Sequence, residues 1–258
     1  MTFEIVPGDA SSPYVIHVPH SSTRIPDDVR TQLLLDDGEL AEELRLMTDT
    51  RTDELAALAA RQVVPRPWLF VNHLSRLVVD PERLPDEHEE MYGVGMGAVH
   101  TRTSAGLVLR DGDNHAERLL LKRFFAPYAE SLADLIDDRI VACGYAVLVD
   151  LHSYPVHSLP YELHQDARRP PVCLGVDVDH TPTALRERAF RACSAIGEVV
   201  VNEPFAGSYV PLRHFGRDNR VSSVMVELRR DTYMRDDGTM DPEGARRVSD
   251  ALAAILEA

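Results

Sequence analysis

The sequence predicts a single α/β domain whose mostly parallel, mixed sheet carries helices on both faces. Short apolar runs rich in β-branched residues alternate along the chain with longer segments of helical periodicity, which is typical of strands joined by crossover helices. The run YAVLVDL at 145–151 is continuously apolar up to its aspartate, as in a strand buried on both faces. No internal repeat or linker divides the 258 residues, so residues 1–258 are predicted to form one domain.

The N-terminal part of the chain predicts a strand followed by an interrupted helix. The run YVIHV at 14–18 is rich in β-forming residues and stops at Pro19. Residues 38–62 place leucine, methionine and alanine at helical spacing, and Thr48 or Thr50 could cap a restart inside this segment. Two helices in succession are therefore expected after the first strand.

The next part of the chain predicts a second strand and then a long excursion. Pro65 and Pro67 end the helical segment, and the run WLFV at 68–71 has strand character. Residues 81–113 are rich in proline, glycine and acidic residues and show no regular period. So long an irregular stretch inside a compact domain indicates either a functional loop or disorder.

A long amphipathic helix is predicted after this excursion. Asn114 and Glu117 form a plausible capping pair at its start, and Gly144 ends it directly before the strand at 145–151. Its predicted apolar face consists of Leu121, Phe125, Tyr128, Leu132, Leu135 and Ile136.

The C-terminal part of the chain continues the alternation. A helix is predicted over about 183–196, following Pro182, and the last helix begins at Asp241, with Pro242 in its first turn. The three remaining strands are predicted at 172–176, 199–201 and 221–228.

Composition excludes several classes of partner. The chain has 27 Lys and Arg against 42 Asp and Glu, a formal charge of −15, which makes nucleic acid an unsuitable partner. The same charge means that an anionic substrate needs a local group of arginines or lysines. No membrane-spanning apolar run and no N-terminal signal segment are present, so a cytoplasmic protein is expected. The three cysteines show no metal-binding or disulfide spacing and are expected to be reduced.

Polar residues follow three of the predicted strands. His20 follows the first strand, His152 ends the strand at 145–151, and Glu227 lies near the end of the last one. The carboxyl ends of strands are where open α/β sheets collect ligands, and catalytic zinc commonly takes three His or carboxylate ligands. Asp49 is the best-placed acidic ligand, and Asp53, one helical turn later, is the alternative. The competing interpretation is that the histidines only pack and that the aspartates only cap helices.

Several ordered sequence blocks then resemble the N-formylglutamate amidohydrolase family. The first is HVPHSSTRIP at 17–26, followed by DTRTDEL at 49–55, NHLSRLVVDPER at 72–83 and DLHS at 150–153. Further blocks that match in the same order are TRT at 101–103, LGVD with HTP at 174–182, GSY with RHFG at 207–216, and EL with TYM at 227–234. Together they extend over about residues 14–235.

The resemblance implies a phosphorylase/hydrolase-like fold related to zinc carboxypeptidases. The implied activity is hydrolysis of the N-formyl amide of N-formyl-L-glutamate to formate and L-glutamate, a step of histidine degradation. It also implies one zinc ion per chain, held by His20, Asp49 and His152, with Glu227 as the catalytic carboxylate. One departure concerns specificity, because Ala129 follows Tyr128 where the family usually carries a histidine.

A dicarboxylic substrate also needs cationic and closing groups. Arg76 and Arg83 flank Asp80, and at least one of the two is expected to bind a substrate carboxylate, since guanidinium pairs with carboxylate in a bidentate fork. The alternative is that the three form a structural cluster that holds the long loop. Arg213 is a candidate for the second carboxylate and His214 for the oxyanion. Tyr209 is a candidate for closing the site.

Two other functions remain compatible with these residues. The first is a zinc amidase or peptidase that acts on other N-acyl amino acids or on cell-wall peptides, with the same metal ligands and a different specificity pocket. The second is a non-catalytic relative that binds a metal or an amino acid. The presence of both histidines, an acidic residue near 49 and Glu227 favours the enzyme, whose expected partner is a small acyl-amino-acid substrate.

Overall fold

The computed structural model describes residues 1–257 and contains a seven-stranded sheet with the strand order β1-β3-β2-β4-β7-β5-β6. The strands are β1 (Phe3–Val6), β2 (Tyr14–Val18), β3 (Trp68–Asn72), β4 (Ala146–Tyr154), β5 (Val172–Gly175), β6 (Val199–Val201) and β7 (Val221–Arg229). The helices are α1 (Asp27–Arg30), α2 (Asp37–Met47), α3 (Thr52–Ala60), α4 (Asn114–Leu120), α5 (Ala126–Cys143), α6 (Thr183–Cys193) and α7 (Pro242–Leu256).

The sheet is mixed, with parallel pairing through its centre. Strand β2 pairs in parallel with β3 and β4, and β4 pairs in parallel with β7. The two antiparallel pairs join β1 to β3 and β5 to β7. The predicted α/β class with a mixed, mostly parallel sheet is therefore confirmed.

Each face of the sheet is covered by helices. Helices α3, α6 and α7 pack on one side, here called the three-helix face, against residues such as Ile16 and Val18 of β2. Helix α5 packs on the opposite side, here called the α5 face, against residues such as Val15 and Leu148. Because successive side chains of a strand point to opposite faces, each central strand contributes to both layers.

Most of the predicted elements are present, and the corrections concern their ends. The cap of the long helix is Asp113, whose side chain accepts the His115 N–H at 2.8 Å, one residue before the predicted Asn114. Thr48 ends α2, and Arg51, at a φ of 63°, precedes α3 in place of the predicted threonine cap. The long helix comprises α4, a π-helical turn and α5. Strand β1 was not predicted.

The excursion at 81–113 is irregular apart from a short 3₁₀ turn, as predicted, and it is fixed by buried polar contacts. The carboxylate of Glu43 accepts hydrogen bonds from the Ser104 N–H at 2.7 Å and the Ser104 hydroxyl at 2.8 Å. Buried Arg110 donates to the Leu77 carbonyl. These contacts give the excursion a defined path, which favours the functional-loop interpretation over disorder.

Among the described residues, no helix combines the length and apolarity that crossing a membrane requires.

Candidate active site

Strand register brings the predicted polar residues together at one end of the sheet. On β4 and β7, His152 lies directly opposite Glu227, and on β2 and β4, His17 lies opposite Asp150. These four side chains alternate with apolar residues that face the other way, so all four project from the α5 face. The apolar alternation of the central strands therefore places the chemistry on one side of the sheet.

Three ligand atoms from remote segments converge here. His20 Nδ1 lies 3.3 Å from His152 Nδ1 and 3.6 Å from Asp49 Oδ2, and His152 Nδ1 lies 3.1 Å from the same oxygen. All three side chains are buried. Ligand atoms bound at 2.0–2.1 Å in a tetrahedral zinc site are separated by about 3.3 Å, so the spacing fits such an ion.

Asp49 occupies this position because of the connection between α2 and α3. Its backbone N–H donates to the His20 carbonyl at 3.0 Å, which ties the two segments together. Asp53 lies in the first turn of α3 and does not belong to any candidate group of metal ligands among residues 1–257. The geometry therefore favours Asp49 over Asp53.

The outward nitrogens of both histidines meet carboxylates. His20 Nε2 donates to Asp80 Oδ1 at 2.9 Å. His152 Nε2 lies 3.1 Å from Asp150 Oδ2 and 3.2 Å from Glu82 Oε2. A histidine that binds a metal through Nδ1 carries its ring proton on Nε2, and these carboxylates lie where that proton would be. Metal-binding histidines commonly show this arrangement, so the donor set fits a divalent ion such as zinc.

The site is rich in ionised carboxylates. Burial alone would raise the pKa of Asp49, but His152 and His20 hold it below its usual range. Burial likewise opposes ionisation of Asp80, yet the guanidinium of Arg76 and the His20 ring lower its pKa. Burial would likewise raise the pKa of Glu82, but the neighbouring histidines, mainly His152, lower it below its usual range. This concentration of negative charge is what a divalent cation would balance.

Glu227 behaves differently from these carboxylates. Burial raises its pKa to about 8, and Asp49 and Asp150 add to the rise, while His152 and Arg76 oppose it. Within residues 1–257, its Oε2 atom is buried without a hydrogen-bond partner. A carboxyl group with a pKa near neutrality and a free oxygen can exchange a proton with a bound molecule.

A cavity of about 750 Å³ opens over these residues. Its wall includes two of the predicted arginines, Arg76 and Arg83, as well as Tyr209. Arg76 donates through Nε and Nη2 to Asp80 Oδ2, at 3.0 and 2.6 Å, so Asp80 orients it. Arg83 Nη1 donates to Glu89 at 3.1 Å. Further residues of the wall are His20, Asp49, Glu82, Asp150, His152, Tyr161, Glu227 and Arg230.

The structure does not bring Arg213 and His214 into this wall. The exposed Arg213 guanidinium donates to Asp134 at 2.7 Å and Asp137 at 2.6 Å, both on α5. His214 is buried, with Nε2 at 3.4 Å from Asp137. Both residues thus pair with acidic side chains of α5, and the expectation that they bind the substrate carboxylate and the oxyanion stays a prediction.

Sequence reasoning missed the roles of three residues that lie around the candidate metal ligands. Glu82 lies within 4.0 Å of the rings of His17, His20 and His152. His17 interrupts the otherwise apolar strand β2, which is a detectable signal of a polar neighbour on the same face. Tyr128 was assigned to the apolar face of the long helix, and its hydroxyl lies 2.6 Å from His17 Nε2.

Comparisons with known proteins agree with this architecture. A family model described as N-formylglutamate amidohydrolase matches residues 12–234. The chain is similar to the crystal structure of N-formylglutamate amidohydrolase from Ralstonia eutropha JMP134, with a TM-score of 0.80 and 21% identity over 99% of this chain and 96% of that chain. A gene product from Agrobacterium tumefaciens is also similar, with a TM-score of 0.72 and 17% identity over 99% and 93%. A search of curated proteins finds no match.

Proposed function

Because the chain belongs to the N-formylglutamate amidohydrolase family, we propose that it hydrolyses N-formyl-L-glutamate to formate and L-glutamate with the help of one zinc ion. The family resemblance predicted from the sequence blocks is confirmed by the matching model. The observation that carries the proposal is the convergence of His20, Asp49 and His152 beside Glu227, whose Oε2 is free, in one cavity. A place in histidine degradation is part of the same proposal.

His20, Asp49 and His152 would hold the metal. When bound, zinc polarises the formyl carbonyl and makes water acidic enough to attack at neutral pH. The protein's own contribution is to keep the two Nδ1 atoms and Asp49 Oδ2 within 3.6 Å of one another and to fix both rings through Asp80, Asp150 and Glu82. Burial of these groups limits the access of bulk water.

Glu227 is proposed to move the proton. Its free Oε2 would accept a proton from the attacking water and then deliver it to the nitrogen of the leaving amino acid. A pKa near neutrality suits both halves of this transfer, because the group can then bind and release a proton at similar cost.

Arg76 and Arg83 are proposed to bind the substrate carboxylates. Both lie in the cavity wall, and the side chain of Arg83 is 29% exposed, so its guanidinium is the more accessible of the two. Arg76 is held by Asp80, which fixes its direction. Tyr209, from the loop before β7, is proposed to close the site above His17, since their ring centroids lie 5.3 Å apart.

A substrate panel tests the reaction. Zinc-loaded protein is incubated with N-formyl-L-glutamate, N-formyl-L-aspartate, N-acetyl-L-glutamate and a muramyl peptide, and formate or acetate and the free amino acid are quantified separately. The expected result is equimolar formate and glutamate from N-formyl-L-glutamate, with the highest kcat/KM of the four. A higher kcat/KM for another panel member would replace the proposed substrate.

A matched pair of variants tests whether Arg83 binds a substrate carboxylate. Arg83→Ala removes a guanidinium from the cavity wall, whereas Arg213→Ala removes one that pairs with Asp134 and Asp137 outside the wall. Loss of one charged hydrogen bond should raise KM for N-formyl-L-glutamate about 10–100-fold in Arg83→Ala. Arg213→Ala should leave KM unchanged, and the reverse ranking would contradict the assignment.

Hydrolysis of larger N-acyl amino acids is the second candidate. The cavity of about 750 Å³ lies in the range of sites for drug-sized ligands, and N-formyl-L-glutamate is smaller than that class. Ala129, where the family usually carries a histidine, is not part of the cavity wall and packs against an apolar cluster that includes Phe125. The acetyl and muramyl members of the panel decide between the two candidates.

A further inference from the structure

A line of buried polar contacts runs from the long helix to one of the metal-ligand candidates. The Tyr128 hydroxyl lies 2.6 Å from His17 Nε2, and His17 Nδ1 donates to Asp150 Oδ1 at 2.9 Å. The second oxygen of Asp150, Oδ2, lies 3.1 Å from His152 Nε2. All four residues are buried, with Tyr128 at 3% exposure and His17 fully enclosed.

The line crosses three elements of the fold. Helix α5 supplies Tyr128, and strand register places His17 of β2 directly opposite Asp150 of β4. Asp150 and His152 are two residues apart on β4, so both project from the α5 face. The backbone of these three elements therefore fixes the position of each of the four residues. The Tyr128 hydroxyl lies at the end of the line opposite His152.

The contacts have a consequence for the orientation of the His152 ring. When His152 Nδ1 binds a metal, the ring proton is on Nε2, which lies 3.1 Å from Asp150 Oδ2 in an ion-pair contact without the alignment of a hydrogen bond. This contact depends on how the Asp150 carboxylate is held. His17 holds that carboxylate by donating to its other oxygen, and Tyr128 holds the far side of the His17 ring. We propose that Tyr128 and His17 are positioning residues that orient the metal ligand His152 through Asp150.

A second carboxylate limits the size of the expected effect. Glu82 Oε1 lies 3.4 Å from His17 Nδ1, and Glu82 Oε2 lies 3.2 Å from His152 Nε2. When the Tyr128 hydroxyl is removed, Glu82 still restrains both rings. The loss of zinc affinity on substitution should therefore be smallest at Tyr128, larger at His17 and largest at Asp150.

Packing alone predicts a different outcome. The Tyr128 ring lies edge-on to Phe3 at 5.7 Å and to Phe70 at 4.9 Å between centroids, and Tyr128→Phe keeps those contacts. A purely structural Tyr128 would therefore be replaced by phenylalanine without any change in metal affinity. A positioning role requires that affinity and turnover change while the metal-free protein stays equally stable.

The experiment measures zinc affinity by competition with a chelator, the Tm of the metal-free protein, and kcat/KM. Since outer partners of metal ligands commonly contribute 10–100-fold in affinity, Asp150→Asn should weaken zinc binding by about that factor. His17→Ala should show a smaller loss, and His17→Asn, which keeps a donor near the Nδ1 position, should restore part of it. Tyr128→Phe should lose about 3–10-fold, with an unchanged metal-free Tm.

The matched control is Tyr14→Phe. Tyr14 is also buried on β2, and its hydroxyl accepts from Arg188 at 3.1 Å on the three-helix face. This variant should keep wild-type zinc affinity and kcat/KM. Equal zinc affinity in wild type, Tyr128→Phe and His17→Ala would overturn the inference, as would a lower metal-free Tm in Tyr128→Phe without a change in affinity.

The inference rests on the proposed function insofar as His152 is taken as a metal ligand, and the same experiment separates the two. A wild-type protein that binds zinc but hydrolyses no panel substrate contradicts the proposed reaction alone, and the affinity ranking of the variants still decides the positioning roles. A wild-type protein that binds no zinc overturns both.

Discussion

The two faces of the sheet use the same strands for opposite purposes. On the three-helix face, β4 contributes Val149 and Leu151 to a continuous apolar core with α3, α6 and α7. On the α5 face, the alternate residues Asp150 and His152 are buried among charged and polar groups. Burial of apolar surface stabilises the folded state, whereas burial of charge costs free energy that only pairing recovers. One face therefore maintains the fold, and the other holds the proposed active site.

A single strand can serve both purposes because its polar residues are confined to one end. Only the half of the α5 face beyond Leu148 is polar, because the part before it packs against α5 residues such as Leu132 and Ile136. The polar half lies at the carboxyl ends of the parallel strands, where side chains of neighbouring strands meet. Substitutions on the three-helix face should thus change stability, and substitutions at the polar end should change activity.

The largest expected effect is loss of metal in Asp49→Asn. An amide is a much poorer zinc ligand than a carboxylate, so zinc content and hydrolysis should fall to background. The metal-free variant should stay folded but lose some stability, because His20 and His152, which lower the Asp49 pKa, lose a buried negative partner. Zinc analysis and urea unfolding measure the two quantities. Asp53→Asn is the control one helical turn away, and equal zinc loss in both variants would refute the ligand assignment.

The next effect is loss of turnover in Glu227→Gln. The amide cannot accept the proton of the attacking water, so kcat should fall about 10²–10⁴-fold. Zinc content should stay at the wild-type level because Glu227 does not belong to any of the candidate ligand groups among residues 1–257. Steady-state kinetics and metal analysis on the same preparation check this. A kcat within twofold of wild type would remove Glu227 from the mechanism.

Leu252→Ala tests the three-helix face. Leu252 of α7 is 1% exposed in the apolar core, and truncation of such a leucine costs about 2–5 kcal/mol through lost burial and the cavity left behind. Urea unfolding should show this loss, while kcat per folded molecule stays unchanged. Val141→Ala, at an 87% exposed position, should change neither quantity. A large fall in kcat for folded Leu252→Ala would break the division between the faces.

The last effect is a pH-dependent difference in stability between wild type and Glu227→Gln. Because the folded-state pKa of Glu227 is raised to about 8 from its ordinary value of 4.5, the folded state loses stability as pH rises between those values. In metal-free protein, the free energy of unfolding of wild type should fall relative to the variant by at most about 1.4 kcal/mol per pH unit. Urea unfolding at pH 5 and pH 8 measures this, and parallel pH profiles would contradict it.

Much of the fold could be read from the sequence because the elements have strong periodicity. The apolar run before Asp150 and the helical face through Leu132 each specify one element with little ambiguity. Strand β1 was missed because it has four residues, two of them exposed, at the edge of the sheet. The antiparallel direction of β5 was also hidden, because pairing direction depends on the path of the connections and not on local pattern.

The candidate site was predictable where chemistry coincides with strand ends. His20, His152 and Glu227 were found because they follow or end apolar runs, and register then brings them together. The surroundings of Arg213 could not be predicted, because an arginine in a loop shows no sequence sign of whether it faces a cavity or an acidic helix. Glu82 was missed for a similar reason, since its place among the histidines depends on how the excursion after β3 folds back.

The hydrogen bond from the Asp49 N–H to the His20 carbonyl, 3.0 Å long, bears on how the proposed metal ion would bind. It joins the main chains of the two segments that carry the proposed metal ligands His20 and Asp49, so folding of the chain itself places these two residues side by side. The free energy of folding then already includes the entropy cost of bringing these two residues together, so binding of an ion does not add that cost. An ion that binds the folded chain should consequently stabilise it. It should add about 2.7 kcal/mol to the free energy of unfolding when its free concentration exceeds Kd a hundredfold.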